Sequence, residues 1–195
     1  MDEMNLAAVL HPPLPLAHAL PVPVTLEAFL ESVQRRAYRV AELGLGNRED
    51  ALDAVQDAML RLHQHYRLHP ADEWPPLFWG ILRRRITDLQ RRRKVRRIVV
   101  GWIGSAGAED DVPAWEPADP GPDPLRALAS RKACADLGRA LRALPRRQRE
   151  AFLLRVLEGL DVAATARAMG CSDGSVKTHL SRAMEALRRH LEDWQ

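Results

Sequence analysis

One stretch near the middle of the chain, from Gly101 to Pro124, constrains the fold more than any other. It reads GWIGSAGAEDDVPAWEPADPGPDP, is rich in Gly, Pro and acidic residues, and contains no Lys or Arg. Because such a stretch cannot bury a continuous apolar face, it is typical of a linker between domains. The 195 residues of the chain suffice for two small domains on either side of it.

The patterns on both sides of this stretch indicate α-helices. Leu, Ala and Val dominate the apolar residues, and aromatic residues make up 5% of the chain, a usage that favours helices. The apolar spacing predicts helices over about 25–43, 47–66, 77–96, 145–159, 162–169 and 173–191. We therefore predict an all-α protein with two small helical domains. The expected divisions are a disordered or loosely packed lead-in (1–24), an N-terminal domain (25–98), the acidic linker (99–124) and a C-terminal domain (125–195).

Several classes of function lack support in the sequence. The two cysteines, Cys134 and Cys171, do not have metal-ligand spacing, and the seven histidines are scattered. We find no nucleophile–base pair and no phosphate-binding loop, and therefore expect a protein that is not an enzyme and needs no metal or cofactor. No apolar run is long enough for a membrane span, and the acidic, proline-broken N-terminus argues against a signal peptide. A cytoplasmic protein with free thiols is expected.

The C-terminal domain has the pattern of a helix-turn-helix. Asp161 is a candidate cap for the first of two helices, Gly170 ends it, and Ser172 is a candidate cap for the second. One face of the second helix is apolar. The opposite face carries short polar and basic side chains suited to the DNA major groove: Ser175, Lys177, Thr178, Ser181 and Arg182. A solvated face of a bundle helix is the alternative, and the complete two-helix unit favours DNA.

The second helix of the N-terminal domain carries an acidic face. Its members are Glu49, Asp50, Asp53, Gln56 and Asp57. Acidic residues in a first turn are stabilised by the positive end of the helix dipole. This accounts for Glu49 and Asp50 but not for Asp57. A partner with a basic surface is the second interpretation, and the residues alone leave both open.

The third helix is strongly basic. Nine Lys and Arg residues lie between Arg83 and Arg97, against the single acidic residue Asp88. This density predicts phosphate binding with salt-sensitive affinity. Phe78 and Trp79 precede the cluster, where aromatic side chains either stack on unpaired bases or pack in the core, and the core interpretation is favoured.

These segments together resemble a bacterial RNA polymerase sigma factor of the small extracytoplasmic-function (ECF) type in the sigma-70 family. The matching stretches, in order, are NREDALDAVQDAMLRLHQHY, LFWGILRRRITDLQRRR, the acidic linker and LRALPRRQREAFLLRVLEGLDVAATARAMGCSDGSVKTHLSRAMEALRRHL. The resemblance covers about Leu26 to Leu191. Two departures stand out: Arg84 occupies a position where many members carry asparagine, and Pro75 and Pro76 differ from the usual loop.

The resemblance implies a function that the residues alone do not give. A sigma factor binds core RNA polymerase (its β′ and β subunits) and directs initiation by recognising and opening promoter DNA, often under the control of an anti-sigma factor. The implied polymerase-binding residues are Asp53, Gln56 and Asp57. The implied minus-ten residues are Phe78, Trp79, Arg83, Arg84, Arg85, Arg91 and Arg92. The implied minus-thirty-five residues are Ser175, Lys177, Thr178, Ser181 and Arg182.

Two other functions remain open at this point. One is a helix-turn-helix regulator that does not act as a polymerase subunit. The other is a helical module whose basic helix binds RNA or an acidic protein. The acidic helix discriminates between the first of these and a sigma factor, because a simple DNA-binding regulator has no use for it.

Overall fold

The computed structural model describes residues 25–102 and 135–192, and these residues form helices joined by short turns. The helices are α1 (Leu26–Leu45), α2 (Arg48–Tyr66), α3 (Trp74–Trp102), α4 (described over 135–143), α5 (Arg146–Phe152), α6 (Val162–Met169) and α7 (Asp173–Glu192). The all-α prediction is confirmed for the described residues. The predicted lead-in and nearly all of the predicted linker lie outside them.

Local signals in the sequence set most helix ends. The side chains of Thr25, Asn47 and Asp161 each accept a hydrogen bond from the backbone N–H three residues later, at 3.2, 3.0 and 2.6 Å. Gly170 follows α6 with φ of 63°, in the left-handed region that glycine tolerates without steric cost. The predicted cap of α6, Asp161, is therefore confirmed, and Thr25 and Asn47 cap α1 and α2 in the same way.

Helix α3 is longer than the sequence pattern predicted. It begins at Trp74 instead of Leu77. Pro75 and Pro76 lie in its first turn, where the N–H groups that proline lacks would have no partner within the helix. It continues to Trp102, four residues beyond the predicted domain end at 98. The sequence has no proline between Pro76 and Pro113 that would stop the helix earlier.

The helix predicted over 145–159 is not a regular α-helix. After α5, residues Leu153–Leu157 form a π-helical turn, in which the N–H of Glu158 donates to the carbonyl of Leu153 at 3.0 Å. Such a turn inserts an extra residue and rotates the side chains that follow it. As a result Val156 and Leu157 are exposed, whereas the side chain of Glu158 is only 3% exposed and points towards α1.

The two domains pack against each other through one shared apolar core. This core contains residues of α1, α2 and α3 together with Leu154, Ala166, Ala168, Met169 and Val176 of the C-terminal domain. A second, smaller core lies inside the C-terminal domain, where α4, α5 and α7 meet around Leu141, Phe152 and Leu187. The sequence predicted two domains but gave no sign that they would share a core.

A buried carboxyl group lies at the edge of the contact between the domains. Glu158 Oε2 is 3.3 Å from Nε of Arg36 on α1, beside a cavity of about 180 Å³ with leucine walls. The other charged residues around this cavity are Arg39 and Glu42 of α1 and Arg142 of α4. Burial raises the pKa of Glu158 from 4.5 to about 7, and the nearby Arg36 limits the rise.

We predict that this carboxyl group makes folding stability depend on pH. The folded chain binds the Glu158 proton more tightly than the unfolded chain, whose pKa is 4.5. This contribution to stability is therefore complete below the unfolded pKa and is lost as the pH rises through about 7. Urea unfolding at a series of pH values should show a shallower pH dependence for Glu158→Gln than for the wild type. Glu185→Gln, a change at an exposed glutamate of α7, is the control, and an unchanged slope in Glu158→Gln would contradict the prediction.

Candidate functional site

The outer face of α2 is a mixed acidic and apolar surface. Asp53 and Gln56 are exposed, as the sequence analysis predicted for residues that bind a partner. Two leucines on the same helix are also exposed, Leu52 at 43% and Leu60 at 54%. Exposed leucines beside carboxylates indicate a surface that binds a protein partner. The sequence analysis did not include these leucines in the predicted site.

Asp57 differs from its predicted companions because it already has partners inside the domain. Its carboxylate lies 3.1 Å from Nε of Arg85 on α3 and 3.4 Å from Nε of Arg61. Two turns closer to the N-terminus, Asp50 pairs with Nη2 of Arg93 at 2.5 Å. Part of the acidic face of α2 therefore fixes α3 in place, and Glu49, Asp53 and Gln56 remain exposed.

The arginines of α3 fall into two groups. Arg84, Arg91 and Arg92 are exposed. Arg85 is paired with α2, and Nε of Arg83 donates to the carbonyl of Ala168 in the C-terminal domain at 3.1 Å. Burial lowers the pKa of Arg83, which reflects its position between the domains. Three of the five predicted minus-ten arginines are thus open to solvent in this arrangement.

The two predicted minus-ten aromatic residues are in the core. Phe78 is fully buried and Trp79 is 3% exposed. Phe78 packs edge-on against Phe29 and Trp79, with ring centroids 5.9 and 5.4 Å apart. Neither ring offers a face to a nucleic acid base in this arrangement, which agrees with the core interpretation that the sequence favoured.

Helix α7 exposes the predicted DNA-binding face. Val176, Ala183 and Leu187 are buried on one side. Four of the five predicted DNA-contacting residues are exposed on the other, namely Lys177, Thr178, Ser181 and Arg182, and Ser175 is half-buried.

The first turn of α7 is ordered by short hydrogen bonds. The Ser172 hydroxyl accepts the N–H of Ser175 at 3.2 Å, and the Thr178 hydroxyl donates to the carbonyl of Gly174 at 2.9 Å. A Cβ atom at residue 174 would meet no other atom within 4 Å. The backbone beside Gly174 is therefore open to an approaching surface.

The three predicted sites do not meet in one cleft. They form separate surfaces on α2, α3 and α7, which suits large partners rather than a small substrate. Within residues 25–102 and 135–192, no group of three or more His, Cys, Asp or Glu residues is arranged to hold a metal ion. None of the helices described in these ranges combines the length and the apolar character that crossing a membrane requires.

Sequence reasoning missed the residues that connect the two domains. Arg36 pairs with Glu158, and Arg146 donates to Thr87. No local pattern predicts these contacts, because each partner is distant in the chain. The sequence analysis interpreted the surplus of arginine on α3 as phosphate binding and assigned no role to Arg36 or Arg146.

Comparison with protein families gives two matches that follow the two domains. Residues 26–97 match Sigma-70 region 2. Residues 134–187 match Sigma-70, region 4. The first match contains α1 to most of α3, and the second contains both helices of the helix-turn-helix.

Curated relatives align over most of this chain. The ECF RNA polymerase sigma factor SigF of Caulobacter vibrioides is 32% identical over 163 residues, covering 83% of this chain and 82% of SigF. The ECF RNA polymerase sigma factor SigM of Mycobacterium tuberculosis is 33% identical over 161 residues, covering 80% of this chain and 72% of SigM.

Two solved structures share the fold. The sigma factor RpoE in complex with the anti-sigma factor NepR, from Bartonella quintana, superposes with a TM-score of 0.58 at 25% identity, covering 84% of this chain and 96% of RpoE. CnrH in complex with the cytosolic domain of CnrY gives a TM-score of 0.55 at 18% identity, covering 90% and 94% of the two chains.

We predict that Asp57 contributes to the stability of the N-terminal domain. Asp57→Asn leaves Arg85, which is half-buried, without its counter-charge, and we expect a loss of about 1–2 kcal/mol in the free energy of unfolding. Asp53→Asn, the same change on the exposed side of α2, should cost at most about 0.5 kcal/mol. Urea unfolding of the two variants makes the comparison, and equal losses would contradict the assignment.

Proposed function

Because the chain belongs to the extracytoplasmic-function sigma factors of the sigma-70 family, we propose that it binds core RNA polymerase and opens promoter DNA. Promoter recognition is the role of this family, whose members generally work without catalysing a reaction. The single observation that carries the proposal is the pairing of an exposed acidic and apolar face on α2 with an exposed DNA-reading face on α7 in one chain.

We assign polymerase binding to the exposed face of α2. Asp53 and Gln56 supply polar groups to this face. Leu52 and Leu60 supply exposed apolar side chains that a protein partner would bury. A basic helical surface, such as the coiled coil of the β′ subunit, complements this face in charge. Asp57 supports the surface indirectly, through its ion pair with Arg85.

We assign minus-ten binding to α3 and minus-thirty-five binding to α7. On α3, Arg84, Arg91 and Arg92 are exposed and suit the phosphates of a melted strand. On α7, Lys177 and Arg182 are long enough to reach base edges in the major groove. Open DNA is stabilised because binding energy is released when unstacked bases are captured, and no covalent bond is made or broken.

An anti-sigma factor is a further proposed partner. The support is the similarity to RpoE, whose solved structure is a complex with the anti-sigma factor NepR.

We predict promoter-specific run-off transcription when the purified chain is added to core RNA polymerase. Asp53→Arg should reduce both the run-off product and the affinity for the core enzyme, because it reverses a charge on the exposed face of α2. Glu31→Arg, an identical charge reversal at an exposed position of α1, is the control and should act like the wild type. A wild-type chain that gives no discrete start site with any promoter library would refute the proposed function.

We predict that Arg182 contributes to the choice of promoter sequence. If its guanidinium contacts a base edge, Arg182→Ala loses about 1–3 kcal/mol of discrimination at one base step. Arg189→Ala is the control, because Arg189 lies near the other end of α7 and interacts weakly with Glu185 at 3.9 Å. Binding measured across a set of minus-thirty-five variants separates the outcomes, and an equal loss on every sequence would make Arg182 a phosphate contact instead.

A further inference from the structure

A cavity of about 180 Å³ lies where α1 meets the C-terminal domain. Its apolar wall consists of Val40, Leu43, Leu141, Leu153 and Leu157. The side chain of Arg36, which also lines it, is 40% exposed and Leu157 is 37% exposed, so a ligand can enter from solvent. An engineered apolar cavity of about 150 Å³ binds benzene. The space therefore suits the apolar body of one small organic molecule.

The charged residues around this cavity have an excess of positive charge. They are Arg36, Arg39 and Glu42 of α1, Arg142 of α4, and Glu158. Burial raises the pKa of Glu158 to about 7, so its carboxyl group is about half ionised at neutral pH. The three arginines therefore exceed the carboxylates by one charge when Glu158 is ionised and by two when it is protonated. This balance favours an anionic ligand over a cationic one.

Arg36 has a hydrogen-bond donor that its ion pair does not use. Its Nε lies 3.3 Å from Oε2 of Glu158, whose side chain is only 3% exposed. Within the described part of the chain, this Nε is nevertheless buried and makes no hydrogen bond, because the pair lacks hydrogen-bond geometry. A buried donor without an acceptor is costly. An anionic group bound in the cavity would supply the acceptor.

We propose that this cavity is a binding site for a small organic carboxylate, whose apolar body packs against the leucines while its carboxylate pairs with Arg36. Arg39 and Arg142 add to the attraction for the anion, and they would repel an amine of the same shape. The inference goes beyond the proposed function and does not depend on it. Among the described residues, none of those assigned to polymerase or DNA lines the cavity.

Calorimetric titration of the purified full-length chain tests the class of ligand. The probes are phenylacetate and hexanoate, together with phenylacetamide and phenethylamine, the neutral and cationic counterparts of phenylacetate. For ligands of this size we expect the carboxylates to bind with a Kd of about 0.1–1 mM. Phenylacetamide should bind about tenfold more weakly, and phenethylamine should not bind measurably. The inference is overturned if neither carboxylate binds saturably, or if the amide or the amine binds as tightly as phenylacetate.

A pair of variants in the π-helical turn tests the location of the ligand. Leu157→Trp enlarges a side chain that lines the cavity, and we expect phenylacetate to bind at least about tenfold more weakly because the space is filled. Val156→Trp is the control, since Val156 is equally exposed, at 36%, but does not line the cavity. Wild-type affinity in a folded Leu157→Trp chain would place the ligand elsewhere and overturn the inference.

A second pair of variants tests the role of Arg36 and keeps the inference testable if Leu157→Trp fails to fold. Arg36→Gln removes the charged donor and should weaken phenylacetate binding about tenfold, as expected for a lost charge-assisted hydrogen bond. Its affinity for phenylacetamide should change much less. Arg35→Gln removes the same charge at the exposed neighbouring position on α1 and should bind like the wild type. Equal losses for the carboxylate and the amide in Arg36→Gln would overturn the inference.

The pH dependence of binding tests whether the carboxylate lies beside Glu158. Protonation of Glu158 removes a negative charge from the cavity, so phenylacetate should bind several-fold more tightly at pH 6 than at pH 8. In Glu158→Gln the affinity should be the same at both pH values, whereas Glu185→Gln should behave like the wild type. A wild-type affinity that does not change with pH would overturn the inference. These titrations contain neither polymerase nor DNA, so their failure leaves the proposed function intact.

Discussion

A half-buried guanidinium group is stabilised by a nearby carboxylate or carbonyl oxygen, and this requirement orients helix α3 against its neighbours. Arg85 and Arg93 turn towards α2 and pair with its carboxylates, which fixes the angle between the two helices. Arg83 turns the other way and donates to a backbone carbonyl of α6. The arginines that remain exposed on α3, Arg84, Arg91 and Arg92, are available for phosphate. Removing the counter-charge of one of these half-buried arginines costs about 1–2 kcal/mol.

The sequence predicted well wherever the interaction is short in range. The caps at Thr25, Asn47 and Asp161 join a side chain to a backbone group three residues away, so the local pattern contains all the information needed. The turn between α6 and α7 is equally local, since it depends on the left-handed conformation of Gly170. These local features allowed the sequence to locate the helix-turn-helix. The side of α7 that was predicted to face DNA is mostly exposed.

The sequence predicted poorly wherever the partner is distant in the chain. For the acidic face of α2, the residues left two interpretations open, a favourable first turn and an external partner. Neither anticipated that Asp57 pairs with Arg85, a residue of another helix. The π-helical turn after Phe152 could not be anticipated, because an α-helical pattern of apolar residues continues through Leu157. Its effect is to direct Glu158 towards Arg36, and that contact depends on how the domains pack.

The contact between the domains combines a shared apolar core with polar contacts at its edge. The core that α1, α2 and α3 form also buries residues of the C-terminal domain, namely Leu154, Ala166, Ala168, Met169 and Val176. Removing such side chains from water supplies most of the stability of a contact of this kind. Each interdomain hydrogen bond adds about 1 kcal/mol net. The hydrogen bonds of Arg83 and Arg146 therefore contribute less to the strength of the contact than to its orientation.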